Sequence, residues 1–329
     1  MHCNVLNAKW YESLSLGKNR EKRYHLAQMK ILVTGAAGTI GTRLCEVLRQ
    51  EGAEVIGVDR GPTKWPAVDS VSHRADLRYM DQVMSLPADA DIIVHLAANA
   101  RVHELVQHPE KALENLITVF NILEFARQKG IKKIIFSSSR ETYGNTGKKS
   151  YTEDMVRIEN CESPYTASKI AGEALVESYG RCYDIDFVIL RFSNVYGMYD
   201  RSVRVVPNFF RQARANEPMT VYGQNKCLDF TYIDDAVTGI RAAIEKFDGA
   251  KNDVYNIACG KGTTLMHLAE RIKELTGSSS SIEAVDSRRG EITRYVANIR
   301  KARRVLGYIP KVPFEEGIVK TVEWYKANT

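Results

Sequence analysis

The side chains best suited to proton transfer are Tyr165 and Lys169, which stand four residues apart in a stretch with helical periodicity. Residues at this spacing share one face of a helix. A free phenol, with a pKa of about 10, is a poor base at neutral pH, but an adjacent ammonium group favours the phenolate. Ser139 ends an apolar run twenty-six residues before Tyr165 and could hydrogen-bond the same substrate oxygen. The three residues together predict a proton-transfer unit, although an isolated Tyr-x-x-x-Lys pair is usually a helix-surface pair.

A glycine-rich turn near residue 35 supplies the context for this unit. An apolar run breaks at Gly35, Gly38 and Gly41 follow at three-residue spacing, and a helical pattern then begins. A strand, a tight turn and a helix start direct backbone N–H groups and the positive end of a helix dipole towards a phosphate. An acidic residue, Asp59, ends the next apolar run, as a dinucleotide site requires. The alternative is a turn between strand and helix that binds no ligand.

The residues after the next strands extend this prediction. The carboxylate of Asp59 can accept both ribose hydroxyls of an adenosine and repels the extra phosphate of NADP, so NAD is the expected cofactor, although Arg60 could accommodate that phosphate. Asp76 and Leu77 suit the edge and face of an adenine, unless Asp76 only caps a helix that begins near Leu77. The predicted cofactor-binding residues of these segments are Gly35, Gly38, Thr39, Ile40, Gly41, Asp59, Arg60, Asp76, Leu77, Leu96, Ala97 and Ala98.

Strands and helices must alternate to position these residues. The pattern predicts strands at 30–34, 54–58, 71–75, 91–96, 132–137 and 186–191, and helices at 39–51, 78–86, 103–129 and 164–183. Such alternation is typical of an α/β fold with a doubly wound, Rossmann-type parallel sheet, whose ligands bind beyond the carboxyl ends of the strands.

The same pattern predicts the domain organisation. Residues 29–191 form the dinucleotide-binding domain, to which segments at about 231–258 return. Residues 192–230 and 259–329 form a smaller, discontinuous substrate-binding lobe. Residues 1–28 are expected to be a loosely ordered N-terminal extension.

Composition excludes several classes of function. The net charge of +6 falls by half without residues 1–28, which carry five Lys or Arg and two Glu, so we expect no nucleic-acid partner. The six cysteines contain no CxxC pair and no metal-ligand spacing, which indicates free thiols, a reducing cytoplasmic location and no metal site. No apolar run is long enough to span a membrane.

Seven segments together resemble the extended short-chain dehydrogenases/reductases, specifically the NAD-dependent nucleotide-sugar epimerases and dehydratases. These segments are Thr34-Gly35-Ala36-Ala37-Gly38-Thr39-Ile40-Gly41, Leu96-Ala97-Ala98, Ser137-Ser138-Ser139 with Tyr143-Gly144, Tyr165-Thr166-Ala167-Ser168-Lys169, Arg191-Phe192-Ser193-Asn194-Val195-Tyr196-Gly197, Asp229-Phe230-Thr231-Tyr232-Ile233-Asp234-Asp235 and Arg288-Arg289-Gly290-Glu291. The resemblance runs from about residue 29 to the C-terminus, and it implies a homodimer that packs through helices 103–129 and 164–183.

The resemblance also implies roles for individual residues. Tyr165 would accept a proton from a sugar hydroxyl, Lys169 would bind the nicotinamide ribose and lower the pKa of the phenol, and Ser139 would orient the hydroxyl. Asn194 and Arg288 match positions that hold the nucleotide-sugar and its diphosphate, and a guanidinium can grip phosphate oxygens through two hydrogen bonds. A turn-forming Asn and a solvated Arg are the alternatives for these two residues.

Two departures from the family pattern bear on the reaction. Leu228 precedes Asp229 where the family commonly has an Arg that binds the diphosphate, and Lys226 is a conceivable substitute. Sugar-nucleotide 4,6-dehydratases carry an Asp-Glu pair where this chain has Arg140 and Glu141.

The second departure helps to distinguish between the candidate reactions. A guanidinium is a poor proton donor, which favours 4-epimerisation of a nucleotide-sugar of the UDP-hexose type over dehydration. Glu141 keeps elimination open as the alternative. A non-catalytic NAD-binding protein is a third reading, and the presence of both Tyr165 and Lys169 argues against it.

Overall fold

The computed structural model of the chain describes residues 26–65 and 68–328. Most of the expected N-terminal extension, residues 1–25, lies outside the described residues. Within the described part, Leu26 is buried in the core and Met29 leads directly into the first strand.

Twelve strands form three sheets in the described part of the chain. The strands are β1 Lys30–Thr34, β2 Glu54–Asp59, β3 His73–Arg74, β4 Ile92–His95, β5 Lys133–Ser139, β6 Asp186–Phe192, β7 Asn194–Tyr196, β8 Met219–Tyr222, β9 Cys227–Tyr232, β10 Asp253–Ile257, β11 Gly262–Thr264 and β12 Ile282–Val285. Seven of them form one sheet in the order β10-β6-β5-β4-β1-β2-β3, and every neighbouring pair is parallel.

Helices cover both faces of the large sheet. The helices are α1 Thr39–Gln50, α2 Met80–Met84, α3 Val102–Gln107, α4 Glu110–Lys129, α5 Pro164–Tyr183, α6 Val205–Arg214, α7 Ile233–Glu245, α8 Phe247–Ala250, α9 Leu265–Thr276, α10 Arg300–Leu306 and α11 Phe314–Asn328. Successive strand residues point to opposite faces, so Ile31 and Val33 pack in one core cluster and Leu32 packs in the other. The predicted α/β, doubly wound Rossmann-type fold is confirmed.

Two predicted helices differ from those observed. The helix predicted at 103–129 is two helices, α3 and α4, because Pro109 disfavours helical geometry at His108, which has φ −129° and ψ 72°. The helix predicted at 78–86 is shorter and spans only Met80–Met84. The strand predicted at 71–75 is likewise reduced to two residues, β3, at the edge of the sheet.

The two small sheets lie in the later part of the chain. One has the order β11-β9-β7 and the other pairs β12 with β8 in parallel. Strand β10 joins the large sheet beside β6, so the segment 253–257 returns to the main sheet. The proposed domain boundaries at residues 191, 230 and 258 stay a prediction. No helix in the described ranges has the length and apolar content needed to cross a bilayer.

Candidate active site

One cavity of 1210 Å³ brings together every site residue that the sequence singled out. It lies at the carboxyl edge of the seven-stranded sheet, where the first three of these strands end in Thr34, Asp59 and Arg74. The lining includes Gly35, Gly38, Thr39, Ile40, Gly41, Asp59, Arg60, Asp76, Leu77, Leu96, Ala97, Ala98, Ser139, Arg140, Glu141, Tyr165, Lys169, Asn194 and Arg288. A cavity of this size exceeds the usual range for one small ligand, about 300–1,000 Å³, and can hold two.

The glycine turn presents backbone without side chains to this cavity. Gly35 has a positive φ of 71°, and a Cβ atom there would lie 2.8 Å from the backbone nitrogen of Ala97. A Cβ atom on Gly41 would lie 2.1 Å from the carbonyl oxygen of Gly35. Gly38 precedes α1 and has no side chain to cap its first N–H groups. The loop therefore fits a phosphate, because these N–H groups and the helix dipole remain available.

Asp59 stands beside this turn at the end of β2. Its Oδ2 accepts a hydrogen bond from the Ala37 N–H at 3.0 Å, and its Oδ1 accepts one from the Gly61 N–H at 3.2 Å. Each carboxylate oxygen has a second lone pair that can accept a ribose hydroxyl. These residues fit the adenosine half of a dinucleotide. Arg60 lines the same part of the cavity and is exposed.

Asp76 does not cap the following helix, which begins only at Met80. Its Oδ2 lies 2.6 Å from Nη2 of Arg78, and this pairing holds the pKa of Asp76 below its usual range. Arg78 also reaches Glu114 at 2.8 Å. Asp76 is therefore one end of an ion-pair network that borders the cavity beside the buried Leu77.

Helix α5 positions the predicted proton-transfer residues. Ser163 caps the helix by accepting the Thr166 N–H at 3.2 Å, and Pro164 occupies the first turn, so Tyr165 lies at the start of the helix. Lys169, one turn later, donates a hydrogen bond from Nζ to the Ser137 carbonyl oxygen at 2.7 Å. The ammonium is thereby fixed at the end of β5.

The buried phenol and ammonium both have shifted pKa values. Burial raises the pKa of Tyr165 to about 12, while a hydrogen bond with Ser139 and the charges of Arg204 and Arg140 lower it. Burial lowers the pKa of Lys169 to about 8. The Lys169 nitrogen lies 6.0 Å from the centre of the Tyr165 ring. The structure thus brings Ser139, Tyr165 and Lys169 into one buried group.

Arg140 and Glu141 follow Ser139 directly, in a single turn of 3-10 helix at Arg140–Tyr143. Nη2 of Arg140 lies 2.7 Å from Oε1 of Glu141, and their side chains are only 11% and 4% exposed. Burial raises the pKa of Glu141, although the charges of Arg140 and Lys226 oppose this shift. Among the described residues, Nη1 of Arg140 and Oε2 of Glu141 are buried without a hydrogen-bond partner.

Asn194 and Arg288 also line this cavity. Asn194 begins β7, and its buried Oδ1 has no partner among the described residues. The Arg288 guanidinium lies 3.7 Å above the ring of Tyr222. Lys226, the suggested substitute for the missing Arg, lines the same cavity and pairs with Glu291 at 2.6 Å.

The cavity residues that were not singled out from the sequence include Arg204, Tyr222 and Glu291. Arg204 precedes α6 and hydrogen-bonds Thr39 of the glycine turn at 3.3 Å from a loop 165 residues away. Glu291 belongs to a segment that carries the resemblance, and that segment was the available signal. Tyr222 only ends a short strand, so nothing local marks it.

Comparison with known proteins identifies the family. The model described as the NAD dependent epimerase/dehydratase family matches residues 31–258. The chain belongs to the NAD-dependent epimerase/dehydratase family. The predicted resemblance is confirmed, and so is NAD as the cofactor of the family to which this chain belongs.

Relatives within this family carry out different reactions. The dTDP-glucose 4,6-dehydratase of Streptomyces antibioticus is 31% identical over 318 residues, which cover 91% of this chain and 93% of that protein. The structure of a UDP-glucose 4-epimerase with UDP-glucose from Thermotoga maritima has a TM-score of 0.83 at 30% identity and covers 91% of this chain and 99% of that one.

A third relative acts on an acidic sugar. The UDP-glucuronic acid 4-epimerase of Bacillus cereus, in complex with UDP-glucuronic acid and NAD, has a TM-score of 0.83 at 29% identity, covering 92% of this chain and all of that one. Both epimerases and dehydratases occur among the similar proteins at about 30% identity, so the choice of reaction rests on the residues of the cavity.

Proposed function

We propose that this chain is an NAD-dependent nucleotide-sugar 4-epimerase that acts on a UDP-hexose. The observation that carries the proposal is the group of Ser139, Tyr165 and Lys169 beside an Arg140–Glu141 ion pair. Epimerisation at C4 needs one group that moves the proton of the C4 hydroxyl, and Tyr165 supplies it. Epimerisation needs no second acid or base. Of the residues directly around Ser139 in the sequence, Glu141 is the one with an acidic side chain.

Each member of the group has a separate task. Tyr165 takes the proton of the C4 hydroxyl through its phenol oxygen and later returns it. Ser139 hydrogen-bonds the phenol and orients the sugar hydroxyl. Lys169, held by the Ser137 carbonyl, places its ammonium beside the phenol and within reach of a ribose. The cavity must also leave the 4-keto sugar room to turn its other face before the hydride and the proton are returned, because the face that receives the hydride sets the configuration at C4.

The residues that would hold NAD are those of the glycine turn and Asp59. The chemistry that NAD supplies when bound is the reversible acceptance of a hydride from a sugar carbon. Backbone N–H groups at the start of α1 suit its diphosphate, and the Asp59 carboxylate suits its adenosine ribose. Asn194, Arg288 and Lys226 would hold the nucleotide-sugar in the same cavity.

Dehydration is the second candidate, and Glu141 is the observation that favours it. A buried carboxyl with a raised pKa and a free Oε2 is suited to removing or donating a proton. Elimination of water also needs an acid for the leaving hydroxyl. Arg140 occupies the adjacent position, and a guanidinium does not donate its proton. Epimerisation therefore fits the group better.

The reaction can be tested by incubating the NAD-loaded protein with UDP-glucose, UDP-glucuronate and dTDP-glucose and resolving the products by NMR. A C4 epimer supports the proposal. Loss of water establishes the dehydratase, and unchanged sugars throughout would indicate a non-catalytic NAD-binding protein.

Tyr165→Phe tests the assigned base in the same assay. We expect turnover to fall by about 10²–10⁴-fold while NAD content stays unchanged, because only the proton-transferring oxygen is removed. Turnover close to that of the unmodified protein would contradict the assignment.

We further propose a cytoplasmic homodimer. The five cysteines of the described residues are all unpaired thiols, which suits a reducing compartment. Leu113 and Phe120 on α4 are 60% and 44% exposed and stand two turns apart, so they share one face. Ala167 and Ala174 are exposed at the same spacing on the adjacent α5. These side chains suit a contact between two copies of the α4–α5 pair.

A further inference from the structure

Two buried atoms next to the catalytic serine have no partner among the residues that the structure describes. Nη1 of Arg140 is a hydrogen-bond donor, and Oε2 of Glu141 is an acceptor. Their sister atoms, Nη2 and Oε1, form the 2.7 Å ion pair. Nη1 shares the carbon Cζ with Nη2, and Oε2 shares the carbon Cδ with Oε1, so both unpartnered atoms lie beside the ion-pair contact. Both residues line the cavity. A buried donor and a buried acceptor without partners are costly, which points to a ligand group that satisfies them.

The position of this pair relates it to one part of the substrate. Arg140 and Glu141 are the two residues after Ser139, whose hydroxyl contacts the phenol of Tyr165. If Tyr165 takes the proton of the C4 hydroxyl, as the proposed function holds, a substituent carried by the carbon beside C4 is the nearest group that can reach the pair.

The charges near the pair disfavour an acidic substituent. Arg140 is already neutralised by Glu141, and the buried Lys226 is neutralised by Glu291 at 2.6 Å. Arg288 stacks on Tyr222 and lies 4.0 Å from Glu291. A carboxylate placed against Oε2 of Glu141 would meet a like charge in a buried site, while the neighbouring cations Arg140 and Lys226 are already engaged by carboxylates.

We propose that Arg140 and Glu141 select an uncharged sugar by binding the hydroxyl of the substituent on C5, the carbon beside C4, with Nη1 donating to that hydroxyl and Oε2 accepting from it. Hexuronates are excluded because their carboxylate can accept from Arg140 but can only repel the carboxylate of Glu141. The proposal rests on the proposed function, since it uses the placement of C4 at Tyr165. It makes the pair a determinant of specificity, distinct from the residues that carry the reaction.

Binding to the NAD-loaded full chain tests this proposal without turnover. With Tyr165→Phe to block the reaction, calorimetric titrations compare UDP-glucose, UDP-N-acetylglucosamine and UDP-glucuronate. At least one neutral sugar is expected to bind about tenfold or more tightly than UDP-glucuronate. UDP-glucuronate that binds as tightly as both neutral sugars would overturn the proposal. A failure of the proposed function would appear separately, as a different product in the NMR assay.

Glu141→Gln, added to Tyr165→Phe, tests the acceptor directly. The amide oxygen can keep the contact with Arg140 and turn an NH₂ donor outwards, so a carboxylate would meet two donors. UDP-glucuronate is expected to bind about tenfold more tightly than before, and UDP-glucose to change little. Glu177→Gln, which alters an exposed ion pair on α5, is the matched control. An unchanged preference in the Glu141→Gln protein would overturn the proposal.

A titration at lower pH tests the same idea with Glu141 intact. The charged groups around it are Arg140, Lys226, Glu291 and Glu162, and burial raises the pKa of Glu141, so this carboxyl becomes protonated at a higher pH than an exposed one. Protonated Glu141 becomes a donor, so the preference for neutral sugars is expected to narrow as the pH falls. A preference that stays constant or widens would contradict the role of Glu141.

Discussion

Two neighbouring effects act in opposite directions on the ionisation of the Tyr165 phenol. Burial opposes ionisation, and the hydrogen bond with Ser139 favours it. Burial raises the pKa of Tyr165 to about 12, and the Ser139 hydrogen bond acts in the opposite direction. Because the phenolate of Tyr165 is the proposed base, turnover should rise with pH as the phenol ionises. The position of this rise on the pH axis reports on the groups around Tyr165.

Ser139→Ala is therefore expected to move the rising limb of the pH–rate profile to higher pH. Loss of one hydrogen bond to the phenolate raises its pKa, and a shift of one unit lowers the rate at neutral pH by about tenfold. Steady-state kinetics across the pH range would measure this. Ser178→Ala is the control, because its hydroxyl bonds only the Leu175 carbonyl of its own helix. A rising limb that stays in place after Ser139→Ala would show that the serine does not tune the phenol.

We expect Asp59 to determine the choice between NAD and NADP. Asp59→Asn removes the charge and turns one acceptor into a donor that opposes the Gly61 N–H. We expect NAD to bind about tenfold or more weakly, since hydrogen bonds to a charged group contribute about 1.5–3 kcal/mol. NADP should lose less, because the repulsion of its extra phosphate is gone.

Fluorescence titrations of the cofactor-free protein with each dinucleotide would measure the change. Asp69→Asn, in the exposed part of the following loop, is the matched control and should leave both affinities unchanged. An equal loss for NAD and NADP would rule out discrimination by Asp59.

At the level of elements, a buried ion pair joins helix α5 to β6. Glu173 accepts from Arg191 at 2.7 and 2.8 Å and also from the Ser138 hydroxyl. Both side chains of the ion pair are less than 10% exposed. The pair thus fixes the helix that carries Tyr165 and Lys169 against the strands beside it.

Glu173→Gln should lower the free energy of unfolding by about 3–5 kcal/mol, because it leaves the Arg191 charge buried without compensation. Urea unfolding would measure this loss. Glu177→Gln on the same helix breaks a pair that is mostly exposed, and its cost should be below about 1 kcal/mol. Equal losses of unfolding free energy in the two variants would mean that burial does not determine how much an ion pair contributes to stability.

At the scale of the whole molecule, the exposed face of α4 and α5 determines the predicted assembly. Replacing both Leu113 and Phe120 by Glu should convert a dimer into a monomer, because two charges would be buried at a contact between apolar faces. Analytical ultracentrifugation would measure the mass in solution. Ile158→Glu changes an even more exposed apolar residue outside this face and should leave the dimer intact. A monomer before any substitution would contradict the predicted dimer.

The sequence alone determined the fold class and the family, and it identified residues that line the cavity. It could do so because strand, turn and helix follow from local periodicity, and because parallel strands end at one edge of their sheet. The residues that follow β1, β2, β4 and β5 therefore had to lie at the same edge of the sheet. The break before Pro109 was also readable locally, yet helical periodicity on both sides of it suggested one continuous helix.

Only the tertiary structure decided how the charged residues of the cavity pair. Lys226 and Glu291 stand 65 residues apart, and Arg204 lies 165 residues from Thr39, so no local pattern connects them. Arg140 and Glu141 are neighbours in sequence, but their burial and the two atoms left without partners depend on the packing around them. Desolvation and pairing are properties of that packing, and they set the pKa values and the specificity proposed here.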